Sequence, residues 1–310
     1  MANPSLKIVK DISINPMTSR IGAEVTGMDI SEDLPDSVIE QLRGALGKWK
    51  VLVFRNQNAT ESNHIAFGRR FGELTIAHPS SQRPAHIAYP EIYVVDINEL
   101  KQTYEVFRPV SLTPTIFPPP QTAGWHTDIT FVKNPAMGSI LRAVKVPKAG
   151  GDTVFTNLVE AYKSLSPEIQ NLLARLRAVH TYYKTGTAET VREMQFAAVH
   201  PMVRVHPETG ERALFVNPGF TSHIVGLSRR ESDSLLNLCF EIIRSEEFTM
   251  RVRWEPNTLV FWDNRATCHF GPVDKHDVSY ERVMHRVTIK GDPPVGVDGL
   301  KSEQLVGNAF

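Results

Sequence analysis

The chain has 310 residues, enough to bury one large hydrophobic core or two modest ones. Lysine plus arginine and aspartate plus glutamate number 34 each, so no overall field attracts nucleic acid or an anionic membrane surface. There is no apolar run long enough to span a bilayer, and the N-terminus lacks the apolar segment of a signal peptide. With only two cysteines, Cys239 and Cys268, the sequence predicts a cytoplasmic protein that binds neither nucleic acid nor membrane.

The first third of the chain alternates helix and strand signals. Residues 35–50 carry apolar side chains at helical spacing and run directly into a short apolar strand at 51–54. A second helix is predicted over 60–72, opened by Thr60 as its N-cap, and a further strand over 92–97. This part of the sequence therefore predicts helices that pack beside strands.

Residues 98–123 interrupt this pattern. The segment "NELKQTYEVFRPVSLTPTIFPPPQTA" is rich in proline and has no stable period. A loop of this length in a compact domain is a lid, a binding loop or a disordered insertion. Tyr104, Phe107, Ile116 and Phe117 give it more apolar surface than a linker needs, which argues against a disordered insertion.

Strand signals dominate after residue 124. One helix is predicted from Ser166 through Val179, and another begins at Ser228, where Glu231 completes a capping box. Many short strands with closely spaced turns favour a sandwich or jelly roll, with helices buttressing one sheet in an α+β fold. No linker divides the chain, so we predict a single domain over 1–310. The predicted strands are 138–146, 152–157, the hairpin 202–216, 250–254, 258–262 and 281–290.

The stretch "GWHTDITF" places His126 and Asp128 two residues apart in an apolar, strand-like run. On a strand this spacing puts both side chains on one face, and burying them is costly unless each has a partner. An internal hydrogen bond, open water or a metal ion would each satisfy the pair. His269 in "WDNRATCHF" is the candidate third ligand, with His276 as its rival. Two imidazoles and a carboxylate suit Fe(II) oxygen chemistry, and zinc hydrolysis is the chemical alternative.

The segment "ERVMHRVTIK" alternates as a strand, which puts Arg282, Met284, Arg286 and Thr288 on one face and His285 on the other. Two arginines that share a face with a methionine are not ordinary solvated charges. A guanidinium group suits bidentate binding of a carboxylate or a sulfonate. A hydrolytic zinc site does not need two such groups, whereas a keto-acid cosubstrate and an anionic substrate do.

These segments together resemble the Fe(II)- and 2-oxoglutarate-dependent dioxygenases of the taurine dioxygenase group, which includes alkylsulfatase dioxygenases. The similarity extends from "RIGAEVTGMDI" to "GDPPVGVDG" and is densest in "FGELTIAHP", "WHTDITF", "GGDTVFTN", and "WDNRATCHF" with "RVMHRVTIKGD". Any one of these motifs alone is unspecific, but the ligand spacing together with the arginine strand is specific. The resemblance implies a double-stranded β-helix, a jelly roll with flanking helices.

The resemblance also implies roles at the matching positions. His126, Asp128 and His269 would be the ligands of Fe(II). Arg282 would pair with a carboxylate of the cosubstrate 2-oxoglutarate, and Thr153 of "GGDT" would donate a hydrogen bond to the same carboxylate. O2 would be the second cosubstrate, and by analogy with relatives the chain would form a homo-oligomer.

On the same analogy, Arg286 would hold the sulfonate or sulfate of a small anionic substrate, and His78 would assist it. Oxidation at the carbon next to that anion would release an aldehyde with sulfite or sulfate, while 2-oxoglutarate becomes succinate and CO2. The lengthened, apolar segment 98–123 lies where the group has its substrate lid, and only Thr122 is near the polar contact that taurine enzymes make there. We therefore expect an alkyl sulfate or alkyl sulfonate rather than taurine.

Two other function classes remain open from the sequence. Arg286 would bind a carboxylate equally well, so the same chemistry could act on an aryloxyalkanoate or a biosynthetic intermediate. The scaffold could also serve as a non-catalytic binding module for a small molecule. The complete set of ligands and arginines argues against the second alternative, because a binding protein does not need an iron triad.

Overall fold

The computed structural model describes residues 12–76, 86, 88–96, 124–184, 193–271 and 281–308. The predicted lid at 98–123 and the two histidines His78 and His276 lie outside the described residues. The helices are α1 (Asp36–Trp49), α2 (Glu61–Arg69), α3 (Leu158–Lys163), α4 (Pro167–Leu173) and α5 (Arg229–Ile243), with a 3₁₀ turn at Glu246–Phe248.

The strands, in chain order, are β1 (Ser13–Pro16), β2 (Ala23–Thr26), β3 (Val51–Phe54), β4 (Tyr93–Asp96), β5 (Gly138–Lys145), β6 (Thr153–Asn157), β7 (Arg177–Lys184), β8 (Glu193–Pro201), β9 (Val203–Val205), β10 (Arg212–Leu214), β11 (Thr221–Ile224), β12 (Thr249–Val252), β13 (Leu259–Asp263), β14 (Thr267–Phe270), β15 (Val283–Ile289), β16 (Val295–Gly296) and β17 (Glu303–Val306).

The described strands form four sheets. The largest has seven strands in the order β1-β2-β3-β13-β5-β15-β4, and the others are β11-β7-β8-β17, β10-β9-β16 and β12-β6-β14. Neighbouring strands run antiparallel except β2 and β3. None of these sheets closes on itself within the described part of the chain. The predicted combination of helices with many short strands is confirmed.

The chain passes from one of two facing sheets to the other between β5 and β6, and again between β12 and β13. β5 lies in the seven-stranded sheet and β6 in the β12-β6-β14 sheet, and the successive strands β12 and β13 divide in the same way. The sequence predicts these strands but not the sheet to which each belongs. The apolar core between the sheets takes buried side chains from both, among them Leu141, Phe155, Val252, Trp262 and Met284.

Two groups of helices cover different sheets, whereas the sequence predicted helices against one sheet only. α1 and α2 bury their apolar faces against the seven-stranded sheet, and the Thr60 N-cap of α2 forms a capping box with Asn63. α3, α4 and α5 instead pack against the smaller sheets, around a core that includes Tyr162, Leu173 and Phe240. The predicted capping box of Ser228 at the start of α5 is present.

The helix predicted from Ser166 through Val179 is wrong in its second half. α4 ends at Leu173, and the following residues form the strand β7, which places His180 in a sheet rather than at a helix end. The run "AVHTYY" is β-branched and aromatic, which favours a strand. β7 also pairs with both β8 and β11, so tertiary pairing outweighs the helical spacing of the apolar residues.

His64 of α2 gives a testable consequence of this packing. The ring is fully buried, with Nε2 3.1 Å from the carbonyl oxygen of Ile140, and burial lowers its pKa to about 3. Histidine in an unfolded chain has a pKa near 6.5. Below that pH, His64 is therefore protonated in the unfolded state but stays neutral in the folded state. His64 therefore reduces the free energy of unfolding as the pH falls from about 6.5 towards 3.

We expect His64→Gln to reduce the pH dependence of the free energy of unfolding by up to about 1.4 kcal/mol per pH unit. Urea unfolding between pH 5 and pH 7 measures it. His223→Gln is the matched control because His223 lies exposed on β11, and it should keep the wild-type slope. A wild-type slope in His64→Gln would contradict the argument.

Candidate metal centre and adjoining arginines

Three side chains converge as the sequence predicted. His126 and His269 form an isolated backbone bridge, with each amide donating to the other residue's carbonyl at 2.9 and 2.8 Å. Asp128 Oδ1 lies 3.9 Å from Nε2 of each histidine. The ligand atoms are all within 4.8 Å of one another, and no other such group of three exists among the described residues.

The tautomer of His126 is fixed by its neighbour. Its Nδ1 lies 2.7 Å from the carbonyl oxygen of Gly124, and a carbonyl only accepts hydrogen bonds. Nδ1 therefore carries the proton, and Nε2 presents its lone pair on the side of Asp128. A histidine that donates one ring nitrogen to a carbonyl and offers the other is the usual form of a metal ligand.

Both oxygens of the Asp128 carboxylate accept hydrogen bonds. Oδ2 accepts from the Ser139 hydroxyl at 2.8 Å and from the Asn264 amide at 3.4 Å, and Oδ1 accepts from Arg286 Nη1 at 2.8 Å. Burial alone would raise the pKa of Asp128. The Arg286 guanidinium, the two histidines and the Ser139 hydroxyl outweigh that effect and hold the pKa well below its usual range. The carboxylate is therefore ionised and directed at the histidines.

This donor set fits a divalent transition metal. Two imidazole nitrogens and one carboxylate oxygen meet on one side of a common point, the arrangement that non-haem Fe(II) oxygenases use. Sequence reasoning missed the two residues that orient the carboxylate. Ser139 was detectable as a lone hydroxyl in an apolar strand, and Asn264 as a polar residue directly after the buried strand β13.

The face alternation predicted for the arginine strand is confirmed from Met284 onward, whereas Arg282 precedes β15 and lies beyond a register shift between Val283 and Met284. Met284 of β15 packs in the core between the two sheets, and Arg286 lies on the same side, with its guanidinium 5.1 Å from the centre of the Tyr93 ring. His285 lies on the opposite side, where its Nδ1 is 3.3 Å from a carboxylate oxygen of Glu61. Tyr93, which sequence reasoning did not identify, is opposite Arg286 on β4.

Arg282 and Thr153 are both buried beside one turn. Arg282 Nε donates to the carbonyl oxygen of Gly151 at 3.0 Å, two residues before Thr153. The Thr153 hydroxyl accepts a hydrogen bond from the indole nitrogen of Trp254 at 3.0 Å. The structure thus brings these two sequence-predicted residues to the same place, and it adds Trp254, which gave no signal in the sequence.

Two further buried histidines have partners away from the metal centre. His180 Nδ1 is 2.9 Å from the Thr130 hydroxyl, and His206 Nε2 is 2.9 Å from Asp263 Oδ2. Three apolar neighbours of the motifs are buried in hydrophobic cores: Trp125, Trp262 and Cys268.

Comparison with known proteins identifies the class. The family described as "Taurine catabolism dioxygenase TauD, TfdA family" matches residues 13–288, so the chain belongs to this family. The protein is an alpha-ketoglutarate (2-oxoglutarate)-dependent dioxygenase. The alternatives of a zinc hydrolase and a non-catalytic binding module are therefore not retained. No helix among the described residues is long and apolar enough to cross a membrane.

Individual relatives cover almost the whole chain. An alpha-ketoglutarate-dependent sulfate ester dioxygenase from Pseudomonas putida is 32% identical, covering 94% of this chain and 94% of the relative. An alpha-ketoglutarate-dependent 2,4-dichlorophenoxyacetate dioxygenase from Cupriavidus pinatubonensis is also 32% identical, covering 91% and 98%. A crystal structure of a taurine dioxygenase from Burkholderia xenovorans is 39% identical, covering 96% and 97%, with a TM-score of 0.81.

The role of Ser139 can be tested through metal affinity. Ser139→Ala removes one donor from Oδ2 of Asp128, and loss of such a partner weakens metal binding by about tenfold or more. Mn(II) titration, followed by the electron paramagnetic resonance of the free ion, measures the change. Ser164→Ala is the matched control because Ser164 donates only to a carbonyl at the end of α3. Equal affinity in the two variants would refute the role.

Proposed function

We propose that this enzyme uses Fe(II), 2-oxoglutarate and O2 to oxidise a small organosulfur anion at the carbon next to its sulfonate or sulfate group. The products are an aldehyde and sulfite or sulfate, together with succinate and CO2. One observation carries the proposal: the buried Arg286 guanidinium lies 2.8 Å from the Asp128 oxygen that faces both histidines. A cation at this position binds an anionic substrate directly beside the metal ligands.

His126, Asp128 and His269 hold the iron in this proposal. Iron, when bound there, supplies the activation of O2 and the step that removes hydrogen from the substrate carbon. The chain contributes an ionised carboxylate and an imidazole whose orientation is fixed by the Gly124 carbonyl, so Asp128 need not lose a proton when the metal binds.

Arg282 and Thr153 hold the distal carboxylate of 2-oxoglutarate. The bond from Arg282 Nε to Gly151 fixes the orientation of the guanidinium group, which binds a carboxylate in a bidentate manner. The Thr153 hydroxyl accepts from Trp254, so its own proton can be donated to the same carboxylate. Both side chains are buried, which strengthens their interaction with an anion.

Arg286 holds the substrate anion and so sets which carbon lies beside the triad, which is catalysis by positioning. The Tyr93 ring beside the guanidinium supports the cation within a buried site. His78, outside the described residues, stays a proposed helper of this contact. The apolar segment 98–123 would cover an alkyl chain, which favours alkyl sulfates and alkyl sulfonates over taurine.

The named activities of the relatives support this substrate class and one alternative. The Pseudomonas putida relative acts on sulfate esters, in agreement with an organosulfur anion. The equally similar relative from Cupriavidus pinatubonensis acts on a carboxylate, 2,4-dichlorophenoxyacetate. A guanidinium group binds carboxylate, sulfate and sulfonate alike, so a carboxylate substrate is the second candidate.

We also propose that the facing sheets and their shared core form a double-stranded β-helix, or jelly roll, with flanking helices. Support comes from the strands that alternate between the two sheets and from the similarity to the taurine dioxygenase structure. A single domain over 1–310, a homo-oligomeric assembly and a cytoplasmic location stay predictions.

The decisive experiment is a product assay with purified protein, Fe(II), 2-oxoglutarate and O2. Taurine, alkyl sulfonates, alkyl sulfates and aryloxyacetates are compared, with succinate, sulfite and sulfate measured in parallel and His126→Ala as the inactive control. We expect succinate together with equimolar sulfate or sulfite from the alkyl compounds. Iron-dependent succinate from aryloxyacetates alone would replace the organosulfur proposal with the carboxylate alternative.

Substitution of Arg282 and of Arg286 should affect different Michaelis constants. Arg282→Met is expected to raise KM for 2-oxoglutarate most, and Arg286→Met to raise KM for the organic anion most. Each loses a buried charge-assisted contact of about 2–5 kcal/mol, or about 30-fold or more in kcat/KM. Arg229→Met is the control, because Arg229 is exposed on α5 and pairs only with Asp233 there. Equal effects of both variants on both KM values would contradict the assignment.

A further inference from the structure

The residue after the Asp128 ligand has an unusual backbone. Ile129 has φ of 49°, in the left-handed region, and its side chain is buried in a small apolar cluster with Phe131 and Val132. A β-branched residue in this region is strained and stays there only when its surroundings impose the conformation. This turn directly follows the Asp128 carboxylate in the chain.

Thr130 is the residue that holds the far end of this turn. It is fully buried, and both of its polar oxygens have partners from other strands and loops. Its hydroxyl lies 2.9 Å from His180 Nδ1 and 3.1 Å from Asn217 Nδ2. Its carbonyl oxygen lies 2.6 Å from His200 Nε2, the shortest of these contacts.

The protonation of His200 follows from its partners. The Thr130 carbonyl can only accept, so His200 Nε2 carries the proton and donates. Burial lowers the pKa of His200 to about 3, so the ring is neutral, and Nδ1 lies 2.7 Å from the Ser302 hydroxyl. The ring therefore has one defined tautomer and links β8 to the Thr130 carbonyl on one side and to the residue before β17 on the other.

We propose that His200 is a positioning residue of the metal centre. Through the Thr130 carbonyl it holds the left-handed turn at Ile129, and that turn aims the Asp128 carboxylate at the two ligand histidines. His200 touches neither the ligands nor the arginines, so this role goes beyond their assignment. The inference rests on the proposed metal centre.

The two amide replacements of a histidine test this role because they imitate different ring nitrogens. Glutamine at position 200 puts an amide nitrogen near the place of Nε2 and can still donate to Thr130. Asparagine reaches only about as far as Nδ1 and loses that bond. We expect His200→Asn to lower the affinity for Co(II) by about 10-fold to 100-fold, as loss of an outer partner of a metal site does. We expect His200→Gln to stay within about threefold of the wild type.

The measurement is a titration of the full metal-free chain with Co(II), followed by the visible absorption of the bound ion. The melting temperature of each variant is recorded without metal. His64→Asn and His64→Gln are matched controls, because His64 Nε2 also bonds a backbone carbonyl from a buried position. That carbonyl, of Ile140, lies in β5, which β13 and β15 hold from both sides. The His64 variants should melt earlier and keep wild-type Co(II) affinity.

Equal Co(II) affinity in wild type and His200→Asn, or equal losses in His200→Asn and His200→Gln, would overturn the proposal and leave a structural role. Ser302→Ala is a second test that does not depend on folding of the asparagine variant. It removes the hydroxyl that lies 2.7 Å from His200 Nδ1 and so loosens the ring that donates to the Thr130 carbonyl, and unchanged Co(II) affinity there also counts against the proposal. Wild-type protein that binds no Co(II), or Asp128→Ala protein that still binds it, would instead refute the metal centre itself.

Discussion

The site depends on keeping one carboxylate charged in a buried position. Asp128 is almost inaccessible to solvent, and an isolated charge there would be prohibitively costly. The chain offsets this cost with a guanidinium group, a hydroxyl, an amide and two imidazoles from four separate segments. Each of those segments must be in place for the charge to be tolerated. The two facing sheets, the turn after β13 and the arginine strand therefore form one interdependent unit.

Much of this unit could be predicted from the sequence, because it depends on local spacing. His126 and Asp128 converge as their i, i+2 spacing predicted, although the structure has an isolated bridge at His126 and a turn at Asp128 rather than a strand. The alternation on β15 separates Arg286 from His285. The capping box at Ser228 is equally local. Such features depend on the backbone period and not on the rest of the fold.

What the sequence could not predict depends on long-range contacts. The strand β7 replaces the second half of a predicted helix because it finds partners on both of its edges. The sequence marks Ser139 and Asn264 only as polar residues beside apolar strands, and their partner Asp128, like the Thr153 partner of Trp254, is set by folding. The left-handed backbone at Ile129 is the extreme case, since local preference opposes it and only tertiary contacts hold it.

The backbone bridge between His126 and His269 also has a consequence for how the protein is made. The two residues are far apart in the chain, and Arg286 follows later still, so a ribosome releases most of the polypeptide before any metal ligand set is complete. Domains with such non-local pairing fold slowly and expose unpaired strands until the pairing is complete. A metal ion could therefore meet all three candidate ligands only late in biogenesis. Until then Asp128 is without the second of its two imidazole neighbours.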